Sequence, residues 1–197
     1  MSKIKFILMW IVSTILIILL LIAISYKSKK NGNNTNEDVE KTILNINSYR
    51  ADITVKVISN KNDNEYHLKQ EVTENYEKQV GISPDEICNM EIIFENNVLQ
   101  LKKSKISANK AYKDYKMTFN NDLFLTDFIK NYKNSNQKKY YEKDNTCFFE
   151  YESSDRYRSK FTLNVDKETK KPTKMEINDN NNKTEVYILY NEIEINI

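Results

Sequence analysis

From Phe6 to Ile24 the chain is one unbroken apolar run, relieved only by Ser13 and Thr14. An α-helix rises about 1.5 Å per residue, so a helical run of this length is about 28 Å long and matches the hydrocarbon core of a bilayer. After Ser25 the composition becomes polar. The run therefore predicts an N-terminal transmembrane helix over residues 1–25 that tethers a folded domain, which excludes most cytosolic roles.

Three readings of such a run compete: an uncleaved signal anchor, a cleavable signal peptide and a lipoprotein signal. The last needs a cysteine directly after the run, and the cysteines are Cys88 and Cys147. Cleavable signals carry a shorter apolar core, roughly 7–15 residues, before a small-x-small site. Ala23-Ile24-Ser25 is a weak match to such a site, and the uncleaved anchor is the preferred reading. Lys3 and Lys5 precede the run and Lys27, Lys29 and Lys30 follow it, so the positive-inside rule is nearly a tie. N-terminal segments of this form usually send the following chain outward, and an extracytoplasmic domain is expected. Residues 26–36, rich in Lys, Asn and Ser, read as a flexible tether, and residues 37–197 suit one domain.

Charge is close to balanced, with 30 basic and 28 acidic side chains. No nucleic-acid-binding field follows from that balance. The lysines at 102, 103 and 105 and at 167, 170, 171 and 174 read as solvated edges and turns, and lysine also discourages stray strand pairing.

A helix is expected first, with Thr35 or Asn36 as cap and Val39, Ile43 and Ile46 on one face. Strict alternation then begins. Tyr49, Ala51, Ile53, Val55 and Val57 share one face of a strand, and Tyr66, Leu68, Gln70 and Val72 form its hairpin partner. Tyr76, Lys78 and Val80 continue the pattern more weakly, and residues 81–86, with Pro84, break it. Met90, Ile92 and Phe94 form the next strand, Leu99 and Leu101 another. Further strands are expected at 106–112 and around Tyr115, Met117 and Phe119. One helix interrupts them, capped by Asn121 or Asp122, with Phe124, Leu125, Phe128, Ile129 and Tyr132 on its core face. Later strands carry Cys147, Phe149 and Tyr151; Phe161, Leu163 and Val165; Met175 and Ile177; Val186, Ile188 and Tyr190; and Ile193, Ile195 and Ile197.

The sum is about nine to eleven antiparallel strands and two helices, a mainly β (α+β) fold. Two helices are few for so wide a sheet, and a strongly curved half-barrel with the helices on its concave side is the economical way to cover the apolar face.

Catalytic devices are scarce. Gly32 and Gly81 are the only glycines, so Walker loops, dinucleotide fingerprints and nucleophile elbows cannot be built. His67, the single histidine, falls on the polar phase of its strand, and no ligand spacing supports a zinc site. Glu150 with Glu152, and Glu192 with Glu194, lie on strand faces expected to point to water. A non-enzyme without cofactor or metal is expected. The 13 tyrosines are an excess; most suit strands, but Tyr112, Tyr115, Tyr140 and Tyr141 are candidates for a partner surface. A carrier would instead line the concave side with residues such as Phe94, Met117, Phe124 and Phe128. Cys88 and Cys147 could pair as a disulfide or remain two free thiols; spacing does not decide it. A homodimer by strand pairing would use Ile193–Ile197 if that strand lay at an edge.

Several segments resemble the lipoprotein-carrier fold of LolA, LolB and RseB-type proteins, and in particular the GerS-type germination lipoproteins of spore-forming clostridia. They are Ile46-Asn47-Ser48-Tyr49-Arg50-Ala51, Asn60-Lys61, Tyr66-His67-Leu68-Lys69-Gln70, Ile82-Ser83-Pro84 and Ile92-Ile93-Phe94-Glu95-Asn96-Asn97. Asn121-Asp122-Leu123-Phe124-Leu125 with Phe128-Ile129 and Tyr132, Val165-Asp166-Lys167-Glu168-Thr169 with Pro172, and Tyr190-Asn191-Glu192-Ile193 complete the set. The resemblance implies an extracytoplasmic binding protein of the spore envelope that partners a cell-wall amidase acting on cortex peptidoglycan. The carrier members of the fold shelter acyl chains instead. This chain departs from the lipoproteins in having no cysteine after its apolar run, where an intact helix would be the firmer tether.

Overall fold

The computed structural model describes residues 38–58, 63–96, 98–103, 108–112, 123–153, 158–181 and 183–196. The chain divides into two compact units, Met1–Lys41 and Thr42–Ile197. The predicted anchor and tether lie outside the described residues. Among the described residues no helix is long and apolar enough to cross a membrane.

Residues 38–44 are helical (α1). The strands are β1 (Tyr49–Ile58), β2 (Asp63–Thr73), β3 (Tyr76–Ser83), β4 (Met90–Glu95), β5 (Val98–Lys103), β6 (Ala108–Tyr112), β7 (Lys138–Lys143), β8 (Thr146–Glu152), β9 (Arg158–Asp166), β10 (Pro172–Asp179) and β11 (Thr184–Ile195). Helix α2 (Leu125–Asn134) separates β6 from β7. All strands join one 11-stranded sheet in the order β6-β5-β4-β3-β2-β1-β11-β10-β9-β8-β7. Neighbours are antiparallel throughout. The sheet is open, with β6 and β7 as its edges among the described residues.

This order corrects one expectation. The strand containing Ile193 is not an edge: β11 lies between β1 and β10, paired on both sides. Its inward residues Val186, Ile188, Tyr190 and Ile193 are all buried, and pairing on two sides satisfies backbone groups that would otherwise be buried unbonded. A strand-paired homodimer through this segment is therefore blocked. The slip in its apolar phase, from even to odd positions after Tyr190, is a β-bulge: the pairing with β1 shifts between Asp52 and Ile53. An extra residue restores the inward face, and the displaced Asn191 donates to Thr54 Oγ1 at 2.9 Å.

Strand β1 follows its alternation closely, with Tyr49, Ala51, Ile53 and Val55 buried. Strand β3 is the opposite of what the sequence suggested. Its inward positions are the polar Glu77 and Gln79, together with Gly81, whereas Tyr76, Lys78 and Val80 occupy the other face. The strand also runs through Gly81 to Ser83 rather than breaking there. At Gly81 a Cβ would stand 2.1 Å from the Ile87 carbonyl oxygen, so only glycine admits the loop that folds back on it. Asn89 N–H donates to the Gly81 carbonyl at 2.9 Å to close that loop.

Helix α2 buries Leu125, Phe128, Ile129 and Tyr132, as its periodicity required. Its cap differs from expectation. Phe124 occupies the N-cap position and offers no side-chain hydrogen bond; Asn121 and Asp122 lie outside the described residues, as do Tyr115, Met117 and Phe119.

Candidate functional site

The first turn of α2 is held by the sheet rather than by its own sequence. The backbone N–H of Leu125 donates to the Tyr49 hydroxyl at 3.1 Å. Tyr49 in turn donates to Gln70 Oε1 at 3.0 Å, and the Gln70 amide donates to Gln79 Oε1 at 3.1 Å and to the Leu123 carbonyl at 3.2 Å. One relay thus ties β1, β2 and β3 to the start of the helix. An N-terminal N–H is an orphan donor in any helix, and here a residue 76 positions upstream satisfies it. Burial, with Tyr190 adding to it, pushes the Tyr49 hydroxyl well above the ordinary tyrosine range, so it stays neutral and able to donate.

Glu77 lies beside this relay on the same face of β3. Its neighbours across the sheet are Val72 and Phe94, so the carboxyl sits between apolar side chains, and its Oε2 is buried with no hydrogen-bond partner. Burial, reinforced by the charge of Asp127 in the first turn of α2 and opposed by Lys130, pushes Glu77 up to about 7.

Further along α2, aromatic rings lock the helix to the other wing. Phe128 meets Tyr151 with centroids 5.2 Å apart, and Tyr132 meets Phe149 edge-on at 5.5 Å. Tyr151 stacks on Phe161 at 4.8 Å. The helix and the residues just before it are therefore tied to β1 and β2 at the start, and the helix to β8 further along.

The opposite face of the sheet is charged. Arg50, Asp52, Lys69, Glu71 and Lys78 line a cleft of about 380 Å³ together with Glu192 and Glu194 of β11. The cations there are paired: Arg50 with Glu71 at 2.8 Å, Lys69 with Asp52 at 3.9 Å and Lys78 with Glu91 at 3.1 Å. The cleft and the Glu77 carboxyl occupy opposite faces and cannot act on one substrate. Among the described residues no group of three or more metal-ligating side chains is present.

The residues singled out from sequence scatter. Phe124 and Phe128 are 2% exposed and fill the core beneath α2; Met117 and Tyr115 lie outside the described residues. Phe94 is half-buried in β4 and pairs with Leu99, which pairs with Tyr112. One ligand candidate and one partner candidate thus share a row across the β4–β6 wing. Tyr140 and Tyr141 part company: Tyr140 packs edge-on against Phe149 at 5.0 Å, while Tyr141, 42% exposed, stacks on Phe148 on the other face. Tyr112 and Tyr141 stand on the two edge strands.

Cys88 and Cys147 are free thiols. Cys88 lies between β3 and β4 and Cys147 on β8, with β2, β1, β11, β10 and β9 between those regions. Cys147 has its thiol pushed up by burial, which makes it a core residue rather than a nucleophile. His67 is half-exposed, with Nδ1 at 3.2 Å from Thr54 Oγ1 and Nε2 at 3.2 Å from Glu65. Glu150, expected to face water, is largely covered by Lys160 at 3.0 Å and accepts from Tyr141 at 2.8 Å.

Sequence reasoning missed Glu77, Gln79 and Asp127 and the capping role of Tyr49. A signal existed: Gln70 sits in the otherwise apolar phase of β2, and a buried glutamine needs partners.

The sporulation protein YdcC-like family model matches residues 5–197. The chain belongs to that family. The YdcC-like chain is also similar, at 26% identity and a TM-score of 0.53, to a chain in the structure of the CwlD amidase from Clostridioides difficile in complex with the GerS lipoprotein, over 82% of this chain and 94% of that one. Looser likenesses are to an uncharacterised conserved protein from Thermus thermophilus (7% identity, TM-score 0.49, 85% of this chain and 87% of that one) and to the LolA superfamily protein NE2245 from Nitrosomonas europaea (10% identity, TM-score 0.40, 82% and 94%). No curated protein sequence matches the YdcC-like chain.

Proposed function

We propose that this YdcC-like protein is a membrane-anchored, extracytoplasmic, non-enzymatic binding protein that supports a cell-wall amidase during spore cortex modification. The observation that carries the reading is its likeness, over most of both chains, to a chain from the complex of GerS with the CwlD amidase. The sporulation family agrees with it. In this reading the Phe6–Ile24 helix is an uncleaved anchor, residues 26–36 form the tether and residues 37–197 form the binding domain. The sheet curls around α2: four strand spacings separate β1 from β8, about 19 Å if flat, yet the first two turns of α2 reach both. Tyr112 and Tyr141, exposed on opposite edge strands, are the aromatic contacts offered to the partner.

The test is co-purification of the detergent-solubilised full-length chain with the amidase co-expressed beside it. A stable complex that weakens on Tyr112→Ala or Tyr141→Ala is expected. A folded chain that leaves the amidase in the unbound fraction would overturn the reading. A second reading, a carrier of acyl chains, draws on the row across β4–β6 in which half-buried Phe94 and Leu99 continue into exposed Tyr112. It predicts co-purifying lipid in native mass spectra.

A further inference from the structure

We propose that Glu77 is a proton-holding latch between β3 and the first turn of α2, where it faces Asp127: docked while its carboxyl keeps a proton and loosened when the proton is lost.

The geometry supplies three reasons. Glu77 faces inward from β3, two residues from Gln79, which belongs to the relay that caps α2. Its directly opposite neighbours, Val72 and Phe94, are apolar, so no sheet residue compensates a charge there. Its Oε2 is buried without a partner, an arrangement that suits a neutral acid far better than a carboxylate. The charged and titratable groups facing it are Asp127 and Lys130 from α2 and Tyr49 from β1. Tyr49 carries the Leu125 cap and feels both carboxyls, with Tyr190 beyond it. Ionising Glu77 therefore places a second negative charge against Asp127 at the turn whose cap is nearest.

The sign follows from linkage. Burial raises Glu77 in the folded state to about 7, so the docked form holds a proton that the opened form has released. Docking is strongest in acid, weakens as pH rises through the ordinary glutamate range towards 7, and levels off above it.

Hydrogen exchange on the full-length chain in detergent micelles reads this directly. After correction for intrinsic exchange, protection of the α2 amides at residues 128–132 should fall about tenfold between pH 6 and pH 8, because the linkage to one proton runs at full slope only below about 7. Glu77→Gln should abolish the fall and keep the acid-form protection at both pH values. Asp127→Asn should shrink the fall and move it to lower pH. A wild-type profile without the fall, or one that survives unchanged in Glu77→Gln, overturns the latch. Should Glu77→Gln fail to fold, an unaltered fall in Asp127→Asn, or a Glu77 side-chain carbon titrating below about pH 5.5 by NMR in the wild type, overturns it equally.

Discussion

Replacing Tyr49 by Phe tests whether the cap of α2 comes from the sheet. The substitution deletes one oxygen and keeps the ring, so packing is conserved around a residue that is 0% exposed. Two buried groups lose their partner: the Leu125 N–H, which donates to the hydroxyl at 3.1 Å, and Gln70 Oε1, which accepts from it at 3.0 Å. Each orphaned buried group costs about 1–3 kcal/mol, and some relaxation of the glutamine is expected, giving a loss of about 2–4 kcal/mol. For a domain of this size that lowers Tm by about 4–16 °C. Urea unfolding followed by far-UV circular dichroism suits the measurement, since the sole tryptophan, Trp10, lies in the apolar run. Tyr141→Phe is the control: it too removes a donating hydroxyl, here one bonded to Glu150, but from an exposed ring on an edge strand, and should change stability by less than about 0.5 kcal/mol. Combining Tyr49→Phe with Gln70→Leu should cost less than the sum of the two, because they break the same bond. A Tyr49→Phe protein within about 0.5 kcal/mol of the wild type, or one no worse than Tyr141→Phe, would refute the assignment of the cap.

Gly81→Ala should lower the unfolding free energy by about 1–3 kcal/mol, read as a lower urea midpoint with an unchanged slope, because its Cβ would meet the Ile87 backbone rather than a movable side chain. Glu142 is pushed up by burial but more strongly held down by hydrogen bonds from Lys167, at 2.6 Å, and Tyr140, so its net displacement is downward. The stability it contributes is present above the ordinary glutamate range and lost as pH falls through it; Glu142→Gln should cost about 1–2 kcal/mol at neutral pH and flatten the acid limb of a stability–pH curve, and an unchanged acid limb would count against the pairing.

Local pattern carried much of the fold. The alternation of Tyr49, Ala51, Ile53 and Val55 and the stripe of Leu125, Phe128, Ile129 and Tyr132 are buried as read, because each face sees one apolar environment. The phase slip between Tyr190 and Ile193 was visible in the residues and became a bulge. Strand β3 was misread because hydropathy assumes that the buried face is apolar, whereas Glu77 and Gln79 are polar groups turned inward, Gln79 onto Gln70. The cap of α2 and the central place of β11 escaped for another reason. Both depend on pairings between distant segments, Leu125 with Tyr49 and β11 with β1, and periodicity within a segment holds no information about which segment lies next to it. The tyrosine candidates suffered likewise: Tyr140 and Tyr141 are neighbours in sequence and therefore, in a strand, on opposite faces.

The junction of β1 with β11 has a consequence for biogenesis. During synthesis the strands β1 to β6 can zip into one meander and β7 to β10 into another, but the seam between the two halves waits for the strand made after all the other ten. Until then one edge of β1 and one edge of β10 stay unpaired beside an uncovered apolar face, and closing so long a loop is slow. A chain exported as it is made would thus complete its sheet only after nearly all of it has emerged, and a nascent chain stalled before Thr184 would present two unsealed half-sheets to whatever waits on the far side.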